Sequence, residues 1–442
     1  MPFRSSPDSA TDVRPHSAAS TTSTRSDRPE QSRLVRLLIF GALVAIGPLT
    51  IDMYLAAFPT VVTDLATTEA TVQLTLTATL VGLATGQLAI GAVSDALGRR
   101  LPLIVSLSAY VVISALIALS SSIEALLALR FLQGLTAAAG MVLSQAMVRD
   151  LYSGSVMATF ISRLFLIVGV APIIAPTLGA QFLHFGTWRS IFWGLAVFGL
   201  LLVVVASLLV RETLPPRRRT TLRPSTMLGT YGVLVRDRRY VGLVLTACTA
   251  MGSLFAYISS ATFIFQDLYG MSTQQYALVF AAGAGALTIT SQINGFLVQR
   301  WHPAAIMRTA LPVALAVALG LLAAALLDLG VGFIVAGVVL VMGVVGFVMP
   351  NSPVIALADH GERAGAAAAL LGASSFTFGA LVSPISGFFD ASSAVPMAGV
   401  MVGCALTSVV VFFTLARPGD ILRTMPWNED ESTTPAPAAT RG

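Results

Sequence analysis

GAVSDALGRRLPL, residues Gly91–Leu103, is a short polar interruption in a very apolar chain. A glycine opens it, an aspartate follows four residues on, and a second glycine precedes paired arginines. Apolar sequence runs away on both sides. This pattern fits two membrane helices joined by a tight, charged turn, and it makes the rest of the chain a matter of counting spans.

A helix needs about 20 predominantly apolar residues to cross the hydrocarbon core of a bilayer. Twelve segments qualify, at roughly 36–58, 71–92, 101–120, 125–147, 157–182, 190–210, 240–264, 275–298, 306–327, 329–352, 364–389 and 394–416. In lipid the backbone has no water to bond, so helices satisfy it internally. The arginines test the count. All 26 basic residues are arginine, and with the N-terminus inside, 23 fall on inner segments. Arg189 alone falls on an outer loop, while Arg130 and Arg163 lie within spans. Shifting the count by one span would scramble that bias, so the chain is expected to have twelve spans and both ends cytoplasmic.

Composition agrees. Of the 442 residues 55% are hydrophobic and 11% charged, against about 25% charged in soluble domains. Four His and two Cys do not build a metal centre or a disulfide framework, and Cys248 and Cys404 read as small buried apolar residues. The arginines sit at span ends, which is topology and not a nucleic-acid footprint. Residues 1–33 are rich in Ser, Thr, Pro and Arg and read as a disordered cytoplasmic tail without a secretory-signal core. Residues 211–239 read as a cytoplasmic linker between bundles 34–210 and 240–416, and 417–442 as a second tail. The expected fold is all-α: twelve transmembrane helices in two six-helix pseudo-symmetric bundles. The halves repeat weakly. Gly91 follows Arg36 by 55 residues and Gly295 follows Arg239 by 56, and Pro176-x-x-Gly179 recurs as Pro384-x-x-Gly387. Repeated halves with a midplane site are a transporter pattern.

Asp52 is the one acid of span one, LIFGALVAIGPLTIDMYLAAFP, where a charge costs ~3 kcal/mol on insertion scales. Such a group faces a cavity or a partner, or snorkels to the interface. Arg130 in span four lies at similar depth, roughly 8–10 Å below the outer surface from the helical rise. An ion pair between them is the expectation. Burial favours a carboxyl group's neutral form and a guanidinium its charged form, so a carboxylate between these influences suits proton exchange. Gln133, three residues beyond Arg130, shares its face and is placed to bond a ligand or the pair. Tyr54, Tyr257 and Asn351 are assigned to the substrate cavity, with Phe263, Gln292 and Asn294 as weaker candidates. Span five carries Gly169, Pro172, Pro176 and Gly179, a shaped seal between the halves, since prolines bend a helix and glycines allow close approach. Arg163 is left without a role beyond snorkelling to the inner face. No acid lies inside spans seven to twelve; Asp359 and Asp390 stand at ends.

With these residues in view, the chain resembles the major facilitator superfamily over about residues 36–416. Gly91, Asp95, Gly98, Arg99 and Arg100 look like its loop 2–3 signature, and RFLQG at 130–134 looks like its span-four signature. Gly169–Gly179 resembles the span-five motif of its antiporters, with Ala171 where Gly is frequent. TIDMYLAAFP, GQLAIGAVSDALGRR, MVRDLYSG and VAPIIAPTLG are similar to the Bcr/CflA group of drug:proton antiporters. The resemblance implies a monomeric, cofactor-free efflux transporter of the cytoplasmic membrane, whose partners are the bilayer, protons and a small lipophilic substrate of the chloramphenicol or bicyclomycin kind. It implies that Asp52 and Arg130 serve proton coupling and drug binding, and that Gly91, Asp95, Gly98, Arg99, Arg100 and Asp150 form a cytoplasmic latch. Only apolar residues surround Val44, where some exporters carry a second acid, which favours neutral or zwitterionic substrates. A proton-coupled importer of a small metabolite and a non-transporting membrane sensor stay open as alternatives. Within the latch, Asp95 is expected against the start of span eleven near Ala364, with Arg99 bridging Asp95 to Asp150. The second-half counterpart has Gln299 and His302 in place of Asp95 and Gly98, so the charges of this motif belong to one half.

Overall fold

The computed structural model describes residues 33–219, 224–360, 363–385 and 393–424. The tails 1–32 and 425–442, with Gly387 and Asp390, lie outside them. Among the described residues there are helices and no strands. Twelve helices among the described residues are long and apolar enough to span: Arg33–Leu55, Glu69–Leu97, Arg100–Ala118, Ile123–Leu151, Thr159–Phe185, Trp188–Leu209, Arg238–Leu268, Thr273–Leu297, Pro303–Leu326, Val331–Ala358, Gly365–Val382 and Val395–Ala416. These are spans one to twelve.

Local chemistry starts several of them. Thr68 accepts the Thr71 amide before span two, and Ser122 accepts the Ala125 amide before span four. Ser272 and Gln275 form a capping box at span eight, and Asp237 receives the Arg239 and Tyr240 amides at span seven. Each side chain satisfies amides that a helix start leaves orphaned. Span seven ends in a π-turn, Phe263–Leu268, and span twelve in another, Phe412–Ala416. The linker holds a further helix, Pro224–Arg236, which the arginine-rich sequence concealed.

The two sets of six pack by one rule. Span one lies on spans four, five and six, span two on span four, and span three on spans four and six. Span seven lies likewise on ten, eleven and twelve, span eight on ten, and span nine on ten and twelve. The halves meet where span two packs on span eleven and span five on span eight, a pairing that is itself symmetric. Close approach needs glycine at Gly134, where any Cβ would collide with the Thr79 carbonyl of span two.

Polar pairs cluster at the two ends. Opposite the linker, Asp64 accepts the Trp188 Nε1–H at 3.0 Å and pairs with Arg189 at 2.6 Å. Arg189 also donates to the Ser120 carbonyl and lies 4.3 Å over the Trp188 ring. Arg189, expected from the sequence on a loop, is the second residue of span six and is a staple among the ends of spans one, three and six. At the linker end the second half has an ion pair of its own, Arg239–Asp359 at 3.0 Å, and His360 Nε2 lies 3.1 Å from Asp237 Oδ2. Charge at that end is therefore not the property of one half, although it comes from other positions than Gln299 and His302.

Candidate functional site

Arg130 is fully buried in span four, one turn from Gln133. Its Nη1 donates to the Thr50 carbonyl of span one at 3.1 Å and to Gln133 Oε1 at 2.7 Å. Gln133 Nε2 in turn donates to Ser114 Oγ of span three at 2.9 Å. The guanidinium carbon lies 4.6 Å from the Tyr54 ring centroid and 5.6 Å from that of Phe192. Aromatic faces stabilise a desolvated cation, by about 2 kcal/mol or more in such sites. Arg130 Nε and Nη2 have no hydrogen-bond partner among the described residues. Thr75 Oγ1 donates to the Tyr54 hydroxyl at 3.1 Å, and Thr50 Oγ1 meets the Tyr110 hydroxyl at 2.7 Å.

The ion pair expected between Asp52 and Arg130 is not formed. Asp52 is 3% exposed and has neither an ion pair nor a side-chain hydrogen bond among the described residues. Equal depth did not bring the two together, because two residues along a helix turn the side chain to another side: the Thr50 carbonyl takes the guanidinium and Asp52 points elsewhere. Asp52 sits within electrostatic range of Tyr257 and Tyr276 in the other half. Tyr257 is buried, stacks on Phe280 at 5.5 Å, and its hydroxyl has no partner. Close by in sequence, span seven reaches across to span one. Thr262 Oγ1 donates to the Leu55 carbonyl at 3.0 Å, Gln266 Nε2 to the Ala56 carbonyl at 3.5 Å, and the Phe58 and Phe263 rings lie 5.8 Å apart. The second-half amides are spent otherwise. Asn351 and Asn294 exchange side-chain bonds at 2.7 and 3.1 Å, Asn351 also donates to the Phe347 carbonyl, and Gln292 is exposed.

In span five Pro172 and Pro176 lie inside one helix, Gly154–Phe185. The Gly169 carbonyl accepts Thr288 Oγ1 of span eight at 2.8 Å, and Gly179 lies against the Met53 carbonyl of span one. The motif thus touches both halves. Arg163 is exposed.

At the turn, Gly91 and Asp95 belong to the last turns of span two, and only Gly98 and Arg99 separate the helices. Arg99 is 8% exposed and sits between two acids, Asp95 at 2.5 Å and Asp150 at 3.1 Å. Its Nη1 also donates to Ser94 Oγ at 2.7 Å, and Arg100 Nη2 to the Ser207 carbonyl at 2.6 Å. Asp95 is half exposed with Arg99 as its ion-pair partner, and the Ala364 side chain is outside the described residues. A Cβ at Gly91 would meet only ordinary contact with Val142, whereas Gly98 has φ +98. Glu212, just after span six, was not legible as part of this cluster, because an acid in an arginine-rich linker looks like a solvated counter-charge. Its carboxylate accepts the amides of Arg99 and Arg100 at 2.8 and 3.2 Å. Thr50, Tyr110, Ser114 and Phe192 were missed around Arg130 for a related reason: hydroxyls and rings in apolar spans carry no spacing signal.

Comparison with known proteins agrees with this architecture. Residues 38–384 match the family model described as Major Facilitator Superfamily. A Bacillus subtilis (strain 168) protein named uncharacterized MFS-type transporter YdgK is 39% identical over 393 residues, covering 88% of this chain and 96% of that protein. A Haemophilus influenzae protein named bicyclomycin resistance protein homolog is 29% identical over 390 residues, covering 87% and 97%. The crystal structure of a mutant of the nucleoside transporter NupG superposes with a TM-score of 0.67 at 14% identity, covering 87% of this chain and 99% of that one. The chain belongs to the Major Facilitator Superfamily, whose members are membrane transporters and not enzymes.

Proposed function

We propose that this chain is a proton-coupled efflux antiporter of the cytoplasmic membrane, of the Bcr/CflA kind, for neutral or zwitterionic lipophilic drugs. The observation that carries the reading is Asp52: a buried carboxyl group with no counter-ion, where span one meets span seven of the other half. A buried carboxylate without a partner is costly, and taking up a proton relieves the cost. Asp52 therefore binds a proton when the site opens outward and releases it when the site opens inward. Arg130 does not neutralise it; its guanidinium donates to the Thr50 carbonyl two residues away. The apolar surroundings suit a substrate of the chloramphenicol or bicyclomycin kind, and the relative named for bicyclomycin resistance supports that choice. The arginine distribution supports cytoplasmic termini and linker, which makes the linker end the inner end. The Thr262 and Gln266 bonds then lie at the outer end and suit a state that faces inward. The Gly98–Arg100 turn, with Asp95 and Asp150, stiffens the first half as a body that rocks, and latches the inner end during the cycle.

The test is drug uptake into everted membrane vesicles driven by a pH gradient, with chloramphenicol and bicyclomycin as probes. Wild-type chain should accumulate at least one of them, and D52N should not do so in response to the gradient. Full gradient-driven transport by D52N would remove Asp52 from the coupling step.

A further inference from the structure

We propose that Glu212 is the positioning residue of the Gly98–Arg100 turn, holding Arg99 between Asp95 and Asp150 and tying the turn to the linker. Span three begins without a side-chain cap of its own, since Arg99 at the N-cap position offers no acceptor. Glu212 supplies the acceptor from a distance of more than a hundred residues. One oxygen, Oε1, accepts the amides of Arg99 at 2.8 Å, Thr213 at 3.0 Å and Leu214 at 2.9 Å. The other, Oε2, accepts the Arg100 amide at 3.2 Å and lies 3.9 Å from Arg219 Nη2. One carboxylate thus gathers the first amides of span three and the first amides of the linker. A negative charge there also complements the partial positive charge of the helix start.

Two neighbours show that the turn is built around this group. Thr213, the next residue, donates its hydroxyl to Asp150 Oδ2 at 2.9 Å, the same oxygen that receives Arg99 Nε. Gly98 lies directly beneath the carboxylate: a Cβ there would strike Glu212 Oε2 and come within 2.9 Å of its Cδ. The glycine is therefore needed twice, for its positive φ and for the room Glu212 occupies. Burial opposes the charge on Glu212, yet the backbone amides outweigh it and hold the carboxyl below its ordinary value. The acid stays ionised and keeps its grip at neutral pH.

The consequence for transport rests on the efflux reading above; the anchoring itself does not. The experiment uses the full chain in nanodiscs for hydrogen exchange and in everted vesicles for chloramphenicol and bicyclomycin uptake. In E212A the amides of Arg99, Arg100, Thr213 and Leu214 should exchange roughly tenfold faster or more, the expected scale for losing a charge-assisted acceptor. Maximal transport should fall by about tenfold with KM unchanged, because the drug site is elsewhere. E212Q should recover most of both, since its amide oxygen can still take the three bonds of Oε1. G98A should mimic E212A, and the double variant should be no worse than either alone. Unchanged exchange in E212A would overturn the anchoring. Faster exchange with unchanged transport would overturn the positioning role. A wild-type chain that moves neither drug would sink the efflux reading, while the exchange arm would still decide the anchoring.

Discussion

At the scale of single residues, the buried cation of span four is held by a carbonyl, an amide and two aromatic faces and not by an acid. Gln133 is the hinge of that arrangement, because it accepts from Arg130 and donates to Ser114. Q133L leaves the guanidinium one acceptor short and the Ser114 oxygen without its donor, and should lower stability by about 1–3 kcal/mol. Thermal unfolding in detergent measures this, and an unchanged midpoint would mean that the rings alone carry Arg130. Asp64 gives a pH-dependent case outside the spans. Bonds from Trp188 and then Arg189 hold its carboxyl below the ordinary carboxylate value. Its stabilisation is therefore complete above the unfolded value of about 3.9 and is lost as pH falls through the lower folded value. D64N should lower the unfolding midpoint at neutral pH, and the difference from wild type should shrink as pH falls below the ordinary carboxylate range.

At the scale of elements, small residues decide how near two helices come. Gly134 seats span four on span two by leaving room for the Thr79 carbonyl. G134A forces a backbone shift where no flexible side chain can yield, and should cost about 1–3 kcal/mol with a matching loss of folded protein after mild heating. The mutual amide bonds of Asn294 and Asn351 clamp span eight to span ten near the linker end. Across the halves, the side chains of Thr262 and Gln266 receive no help from span one except its last carbonyls, which a helix end leaves unbonded. Removing both donors in T262V/Q266L should shift the population toward the state open at that end. Cysteines placed beside Phe58 would then react faster with an impermeant thiol reagent, and an unchanged rate would show that the Phe58–Phe263 contact suffices.

At the scale of the whole molecule, the packing rule of spans one to six is repeated by seven to twelve, and the halves touch through spans two with eleven and five with eight. A charged turn therefore acts on a body, not on one helix. The proposed orientation rests on arginine placement and predicts that cysteines at Leu97 and Arg218 label only from the cytoplasm, and one at Glu69 only from outside. Labelling from the opposite faces would invert the reading.

Much of this was legible without coordinates. Span number, the six-plus-six division and the turn follow from hydrophobic length and from charges that cannot rest in lipid. Those constraints act along the chain, so the chain states them. Asp52 and Arg130 announce themselves in the same way, as charges out of place. Their relation does not, because depth fixes height along a helix but not the direction a side chain faces. Only the tertiary structure decided that Arg130 turns to Thr50 and Gln133 and not to Asp52, and that Asn351 is spent on Asn294. The same holds for Gly91–Leu103. Its sequence says that two helices turn there; the fold alone brings Glu212 to its backbone, since amides carry no residue code and their acceptor lies far along the chain.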